Sequence, residues 1–231
     1  MVKHDLSIDS TEDKKSHQKC DGMGGIITAI VIEKTATMPR AAIFVDDRRA
    51  VYALCRDAGR LAVGHAIADQ ALADLHRRYR HHGAYLQAIR YLGPRDRSVS
   101  EIKQHLTTKG WDTEANHQAL ERLKQEGYVD DEIFARKWVD YRCRTAPRSR
   151  IAIIQELKRK GIARATIQSA VEAMDEAALA LDCTKRKSRQ WLRYDGAEKE
   201  QRIVVFLQRK GFPYPACRKA ARAYADMSRN D

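Results

Sequence analysis

Apolar side chains recur along the later part of this chain in a pattern that repeats three times. An isoleucine is followed four positions later by a leucine, and the leucine is followed four positions later by a glycine that comes directly after a lysine. The copies are Ile102, Leu106 and Gly110; Ile153, Leu157 and Gly161; and Ile203, Leu207 and Gly211, with the glycines 51 and 50 residues apart. Residues four apart share a helix face, and a glycine after a basic last turn is a common helix terminus. Each copy predicts a helix that buries this face and ends at its glycine.

A fixed period of this length is typical of tandem helical repeats. One short unit cannot bury its apolar stripe alone, so neighbouring units must pack together to form a core. The pattern predicts a mostly α fold in which three three-helix-bundle repeats form an elongated curved array. The predicted repeats cover residues 64–128, 129–175 and 176–231.

The start of the chain has a different pattern. Residues 1–25 are polar and end in closely spaced glycines, which predicts a flexible tail. Residues 26–63 then contain short runs rich in β-branched side chains, with a turn signal at Asp46-Asp47. We predict a small β element here, with strands at 26–32, 41–45 and 50–54, and almost no strand beyond residue 55.

Helical periodicity begins after Gly64. Ile67, Leu72 and Leu75 fall at helical spacing, and Gly93-Pro94 ends a second apolar series. Further along, Asp130 and Asp131 precede another helical pattern. Their carboxylates are suited to accept hydrogen bonds from free backbone N–H groups, so we predict that they lie at a helix start.

Charge is distributed unevenly along the 231 residues. The net charge is +12, yet residues 142–231 carry 21 Lys and Arg against 10 Asp and Glu, whereas residues 1–141 carry 22 against 21. This asymmetry indicates that the later repeats bind a polyanion, with nucleic acid as the leading candidate. A basic surface that is only solvated is the alternative.

Two cationic segments are the candidate contact surface. Residues 142–164 contain eight positive side chains and a single acid, Glu156. A second group of positive side chains lies close to Trp191 in the sequence. Arginine can bind two phosphate oxygens, and each neutralised phosphate releases counterions. Of the first segment, Arg148 and Arg150 are placed by the pattern in the loop before a helix. The predicted contact residues are Arg148, Arg150, Lys158, Arg159, Arg164, Lys185, Arg186, Lys187 and Arg189.

Some of these features have simpler structural explanations. Lys109, Lys160 and Lys210 each end a predicted helix, where a cation complements the helix dipole, and we favour that interpretation. Trp191 lies among arginines and could stack on a base, but most tryptophans are largely buried, and we favour a core position.

The sequence gives little support for catalysis. Asp130, Asp131 and Glu132 could hold Mg²⁺, although helix capping explains them better, and the pair Glu101 and His105 lacks a third ligand. There is no phosphate-binding glycine loop and no nucleophile motif. We therefore predict a protein that is not an enzyme and that needs no cofactor or metal.

The cysteines and the hydropathy pattern indicate the compartment. Cys20, Cys55, Cys143, Cys183 and Cys217 are odd in number and widely spaced, which is typical of reduced thiols. No apolar run approaches the roughly 20 residues that cross a bilayer. We predict a cytoplasmic monomer without a membrane partner.

One segment resembles a known family. The run 123–142, LKQEGYVDDEIFARKWVDYR, is similar to the signature segment of the RecX family of bacterial recombination regulators, and Gly127, Tyr128, Asp130, Asp131 and Phe134 are among the matching residues. The stretch from Ile153 to Ile162 resembles the helix of the family's second repeat. The likeness extends over about residues 26–225.

The resemblance implies three tandem three-helix repeats and a modulator without enzymatic activity. Such a modulator of homologous recombination and the SOS response would bind the RecA nucleoprotein filament along its groove. It would inhibit the ATPase, strand-exchange and coprotease activities of RecA, with weak, sequence-independent binding to single- and double-stranded DNA. A helix-turn-helix-like regulator of transcription is the alternative, because three-helix units resemble that fold; a nuclease is a third possibility.

Overall fold

The computed structural model describes residues 24–35 and 38–227, so most of the predicted tail at 1–25 lies outside the described residues. Within them, strands β1 (Gly25–Glu33), β2 (Arg40–Val45), β3 (Arg48–Leu54) and β4 (Ala66–Ile67) form one sheet in the order β3-β2-β1-β4. All three pairings are antiparallel. The three predicted strands are confirmed. β4 is a short addition in which Ile67 lies, so the prediction that helical structure already includes Ile67 is wrong.

The β2–β3 hairpin turns at the predicted site. Asp46 and Asp47 adopt positive φ angles of 47° and 63°, and two successive residues in this region make the tight turn that matches strand twist. The sheet then packs on the helix that follows it. Ile43, Val51, Leu72 and Leu75 belong to one buried cluster. Two or three strands are marginal alone, and this helix supplies the covering face.

Helices make up the rest of the first half of the chain. The first helix is α1 (Cys55–Ala58). A single 24-residue helix, α2 (Asp69–Leu92), then contains both of the apolar series that the sequence shows, apart from Ile67. It is followed by α3 (Val99–Thr108) and α4 (Thr113–Gln125), and α2 packs against α4. Gly83 in α2 lies against the ring of Trp111, where a Cβ atom would overlap the indole.

The later half consists of two further helical groups. The first contains α5 (Asp131–Thr145), α6 (Arg150–Arg159) and α7 (Arg164–Val171) around a core that includes Phe134, Val139 and Ile167. The second contains α8 (Glu176–Lys185), the one-turn α9 (Ser188–Trp191), α10 (Gly196–Arg209) and α11 (Tyr214–Met227). The fold is therefore mostly α, with a small N-terminal sheet, as the sequence predicts.

The repeated isoleucine, leucine and glycine positions behave as predicted. All six isoleucine and leucine side chains of the pattern are 0% exposed. Gly110, Gly161 and Gly211 have φ of 86°, 75° and 84°. In each copy the next residue donates its N–H to the carbonyl of the repeated leucine, for example Ile162 to Leu157 at 3.2 Å. This is the Schellman motif, which satisfies carbonyls that the helix end leaves free.

The chain divides into two compact units. One comprises residues up to 97 together with 101–129, and the other comprises residues 98–100 together with 130 onward. The second unit contains two similar polar junctions. Val99 N–H donates to Asp131 Oδ1 at 2.9 Å, and Arg150 N–H donates to Glu176 Oε1 at 3.0 Å. In both, an acid in the first turn of a helix satisfies a free N–H at the start of another helix.

A serine accompanies each of these junctions. Ser98 and Ser149 are both fully buried, and Ser98 Oγ donates to the Lys160 carbonyl at 2.6 Å. A Cβ atom added to Gly211 would lie only 2.8 Å from Ser149 Oγ. A Cβ atom added to Gly161 would likewise overlap the Ser100 side chain. The glycines thus have a second role besides capping, because they leave room for a serine of another element.

Candidate nucleic-acid interface

The end of α5 and the loop that follows it are bound to the end of α8. The Arg186 guanidinium donates to the carbonyl of Arg144 at 2.7 Å and to that of Thr145 at 3.0 Å. The Cys183 thiol donates to the Pro147 carbonyl at 3.2 Å. These contacts join segments about forty residues apart in the sequence, and they bring the predicted contact residue Arg148 towards α8.

The charges of three cations from three separate elements affect the pKa of the Cys183 thiol. Burial raises the pKa of this thiol, and the positive charges of Lys210, Arg186 and Arg148 act in the opposite direction. Asp182 is the acid nearby, and it pairs with Arg186 at 3.0 Å. We call Arg148, Arg186 and Lys210 the junction cluster.

Sequence reasoning identified two members of the junction cluster and missed the third. Lys210 ends α10, as the dipole interpretation requires, but it also lies 5.2 Å from the Phe206 ring centre and acts on Cys183. No local sequence signal distinguishes it from Lys109. Its association with Arg148 and Arg186 comes from the packing of α10 on α8.

Arg150 has a different place from the one predicted. Since α6 begins at Arg150, the prediction that this residue lies in the preceding loop is wrong. Its side chain is half-buried, and Nη2 donates to the Met174 carbonyl at 2.8 Å. Its backbone N–H is the donor to Glu176 already described. Arg150 therefore ties the start of α6 to the segment between α7 and α8.

We expect the Arg150→Gln variant to lower the free energy of unfolding by about 1 kcal/mol, because a hydrogen bond from a charged, half-exposed donor is lost. The matched Arg148→Gln variant should leave stability unchanged, since Arg148 is exposed. Urea titration followed by circular dichroism measures both. Equal stability of the two variants would show that the Met174 contact contributes nothing.

The end of α6 carries the exposed members of the first cationic segment. Lys158 and Arg159 are exposed, whereas Lys160 is half-buried with its ammonium 4.2 Å from the Trp138 ring centre. Arg164, also exposed, begins α7. Neither α6 nor α7 has an acid in its first turn, and the side chain of Ala163 cannot cap α7. The free N–H groups and the Arg164 charge make this helix start favourable for anions.

The single acid of that segment serves the protein's own structure. Glu156 Oε2 accepts from Arg142 at 2.7 Å and from the Trp138 indole N–H at 2.9 Å. The Arg142 guanidinium also lies 4.7 Å from the Trp138 ring centre. Glu156 therefore neutralises Arg142, and it leaves the charges of Lys158, Arg159 and Arg164 to the surface.

Most residues of the second cationic group take no part in the contacts described above. Lys185, Lys187 and Arg189 are exposed around the short α9, and only Arg186 of this group takes part in the contacts described above. Trp191 is 3% exposed, and its indole N–H donates to the Thr184 carbonyl at 3.0 Å. The prediction that Trp191 belongs to the core is confirmed.

The acidic residues that could have held a metal have other partners. Asp130 Oδ1 accepts from the N–H groups of Glu132 and Ile133 at 2.7 and 2.9 Å, which confirms that it caps α5. Glu101 pairs with Arg95, and His105 stacks on Tyr91 with ring centres 3.9 Å apart. Among residues 24–35 and 38–227, no group of three or more His, Cys, Asp or Glu could hold a metal ion.

In the part of the chain that the structure describes, no helix is both long enough and apolar enough to cross a membrane.

The four cysteines of the described residues, Cys55, Cys143, Cys183 and Cys217, are free thiols. Cys20 lies outside the described residues. Burial raises the pKa of Cys143, Cys183 and Cys217, which disfavours the reactive thiolate at these positions.

The fold and the interface define a protein of tandem three-helix repeats whose later repeats present exposed cations. Three family models match it in chain order, together covering more than half of the chain: the first three-helix domain of RecX at residues 84–123, the second at 130–171 and the third at 175–221. The chain belongs to the RecX family.

Individual relatives agree with this assignment, and two solved structures share the fold. The chain is 30% identical over 140 residues to the regulatory protein RecX of Pelodictyon phaeoclathratiforme, covering 61% of this chain and 88% of that one. It is 34% identical over 129 residues to that of Chlorobium phaeobacteroides, covering 56% and 85%. A crystal structure of regulatory protein RecX matches the fold with a TM-score of 0.62, 23% identity, and coverage of 84% and 97%. The structure of RecX from Lactobacillus salivarius matches with a TM-score of 0.58, 17% identity, and coverage of 65% and 99%.

Proposed function

We propose that this protein is a non-enzymatic regulator of homologous recombination and the SOS response that binds the RecA–DNA filament. In this proposal it inhibits the ATPase, strand-exchange and coprotease activities of RecA. Membership of a family whose relatives are named regulatory proteins supports a regulatory role. The chemistry of the second and third repeats supports a partner that carries phosphates.

The exposure of the cations is the observation that carries the proposal. All nine predicted contact residues except the half-buried Arg150 are exposed. The hydrogen bonds and ion pairs described above engage none of the side chains of Arg148, Lys158, Arg159, Arg164, Lys185, Lys187 and Arg189. Unpaired surface cations are available to phosphates, and each contact releases counterions from the nucleic acid. The half-buried Arg150 and the exposed Arg186 instead stabilise the structure that carries this surface, because both bind backbone carbonyls.

The tandem organisation suits a polymeric partner. A filament presents the same contact repeatedly, and consecutive repeats of one chain can bind consecutive positions. The second and third repeats both contribute exposed cations, whereas residues 1–141 are almost neutral in sum. We therefore assign the filament and nucleic-acid contacts to these two repeats.

Titration of the protein into a RecA ATPase assay on single-stranded DNA tests the proposal. We expect the hydrolysis rate to fall several-fold as the protein is added, and the inhibition to weaken when salt rises from about 50 to 200 mM, because counterion release drives the phosphate contacts. Binding to bare duplex DNA, measured in parallel, should be weak and independent of sequence.

Two results would contradict this function. Preference for one duplex sequence by several kcal/mol over random DNA, without an effect on RecA, would instead indicate a regulator of transcription. Mg²⁺-dependent cleavage of the DNA would indicate a nuclease.

A further inference from the structure

A groove lined by arginines and aromatic rings lies on the third repeat. It runs between the turn after α9 and one face of α10, with a volume of about 510 Å³. Its α10 residues recur at helical spacing from Glu198 to Arg209, so they share one face of the helix. None of its arginines is among the nine predicted contact residues. The groove is lined by Gln190, Trp191, Arg193, Tyr194, Glu198, Gln201, Arg202, Val205, Phe206 and Arg209.

In the groove, two guanidinium groups lie close to one tyrosine ring. The Arg202 guanidinium lies 4.4 Å from the Tyr194 ring centre, and the Arg193 guanidinium lies 5.1 Å from it. Tyr194 itself is half-buried, so the repeat holds the ring in place. In the same groove the Phe206 ring packs edge-on against the buried Trp191, with ring centres 5.3 Å apart. Aromatic rings and guanidinium groups thus line the place where a further flat ring can stack.

The charge of the groove favours an anionic ligand. Arg193, Arg202 and Arg209 are all exposed, and Glu198 is the one acid that lines the groove. Glu198 is held by Arg202 at 2.9 Å, an exposed pair that contributes little and can exchange partners. Two arginines are left to bind phosphate oxygens, and the amides of Gln190 and Gln201 can donate and accept hydrogen bonds.

We propose that this groove binds single-stranded nucleic acid, with one base stacked against the group formed by Tyr194, Arg193 and Arg202 and the flanking phosphates bound by Arg193 and Arg209. A volume of about 510 Å³ lies within the usual range for an organic ligand, ~300–1,000 Å³, and is large for a lone anion. Stacking with alternate cations is the usual mode of sequence-tolerant single-strand binding. The proposal deepens the function proposed above by naming where a base is bound.

An acidic protein surface is the competing occupant. It would engage the arginines equally well, but it does not require an ordered tyrosine close to two guanidinium groups or the exposed Val205 that also lines the groove. These features favour a ligand that has a flat apolar ring as well as charge. The two occupants differ in whether bases are needed for binding, and an experiment can measure that.

The test uses the full chain without RecA and two 12-nucleotide probes, oligo-dT and an abasic strand of the same length. We expect the wild type to bind oligo-dT at least fivefold more tightly than the abasic strand. The Arg193→Gln/Arg202→Gln variant should bind oligo-dT about tenfold more weakly than the wild type. The Arg218→Gln/Arg222→Gln variant, with the same net charge and changes in the same repeat, should lose threefold or less.

Tyr194 provides an independent measurement. The Tyr194→Leu variant should lose the preference for oligo-dT over the abasic strand, whereas Tyr194→Phe should keep it, because phenylalanine preserves the ring. Circular dichroism confirms that each variant is folded, and Tyr194→Phe together with the arginine variants keeps the test decisive if Tyr194→Leu does not fold.

The two assays separate binding in the groove from inhibition of RecA. Equal affinity of the wild type for both strands would overturn the groove, whatever the ATPase assay shows. Unchanged oligo-dT binding by Arg193→Gln/Arg202→Gln, together with weaker RecA inhibition, would also overturn it and indicate an acidic protein surface as the ligand. A base preference that depends on Tyr194 in a protein that does not inhibit RecA would support the groove and refute the proposed function.

Discussion

Replacing Arg148, Lys158 and Arg159 together with glutamate is expected to raise the protein concentration that half-inhibits RecA ATPase by about 100-fold. Non-specific protein–DNA complexes typically have Kd values of ~10⁻⁴–10⁻⁶ M and make about 6–10 phosphate contacts. Dividing the corresponding binding free energy by the number of contacts gives about 1 kcal/mol for each contact. Three lost contacts therefore remove about 3 kcal/mol, and the new negative charges add repulsion. The ATPase titration measures the change.

The choice of residues follows from the structure. Arg150 is not replaced, because its guanidinium binds the Met174 carbonyl. A charge reversal at this position would lower stability as well as binding, and the assay would not separate the two effects. The matched control reverses Arg48, Arg60 and Lys103, which are exposed residues of the first unit. This control has the same net charge and should change half-inhibition less than fivefold. An unchanged titration for the first variant would rule out this surface as the filament contact.

Replacing Gly161 with alanine is expected to lower the free energy of unfolding by about 3 kcal/mol. A side chain in the left-handed region costs ~1–2 kcal/mol, and Gly161 has φ of 75°. The added Cβ would also overlap the Ser100 side chain, and such overpacking costs ~1–3 kcal/mol. Urea unfolding followed by circular dichroism gives the value.

Gly196 provides the control in the same unit. It also has a positive φ, 48°, but a Cβ there would have no neighbour within 4 Å. Gly196→Ala should therefore cost about 1 kcal/mol, from backbone conformation alone. In the Gly161→Ala background, Ser100→Gly should recover about half of the loss, because it removes the overlapping atoms. Additive effects of the two substitutions would show that Gly161 and Ser100 do not interact.

The helices and their buried faces could be predicted from local patterns. Each repeated isoleucine and leucine is fully buried, and each repeated glycine ends its helix in the left-handed conformation. These outcomes depend on residues within one or two helical turns, which the sequence displays directly. Strand β4 is an exception, because it has only two residues and no periodicity of its own. Its pairing with β1 depends on a contact with residues about forty positions away in the sequence.

The candidate interface could be predicted only in part. The sequence identifies a cationic region, but it does not show which cations are engaged inside the protein. Glu156 neutralises Arg142, Arg186 binds the carbonyls of Arg144 and Thr145, and Lys160 lies over Trp138. Each of these contacts joins elements that are 14 to 42 residues apart. Composition and charge counts cannot separate such residues from the exposed ones beside them.

The sequence by itself determined the repeats, their helix ends and the basic character of the last two repeats, because periodicity, glycine conformation and charge are local properties. Only the tertiary structure decided that Arg186 binds the carbonyls of Arg144 and Thr145, and that the guanidinium groups of Arg193 and Arg202 lie close to the Tyr194 ring in a groove. Those associations depend on how α5, α8, α9 and α10 pack. Packing of side chains between separate helices is a property of the folded chain and of no single segment.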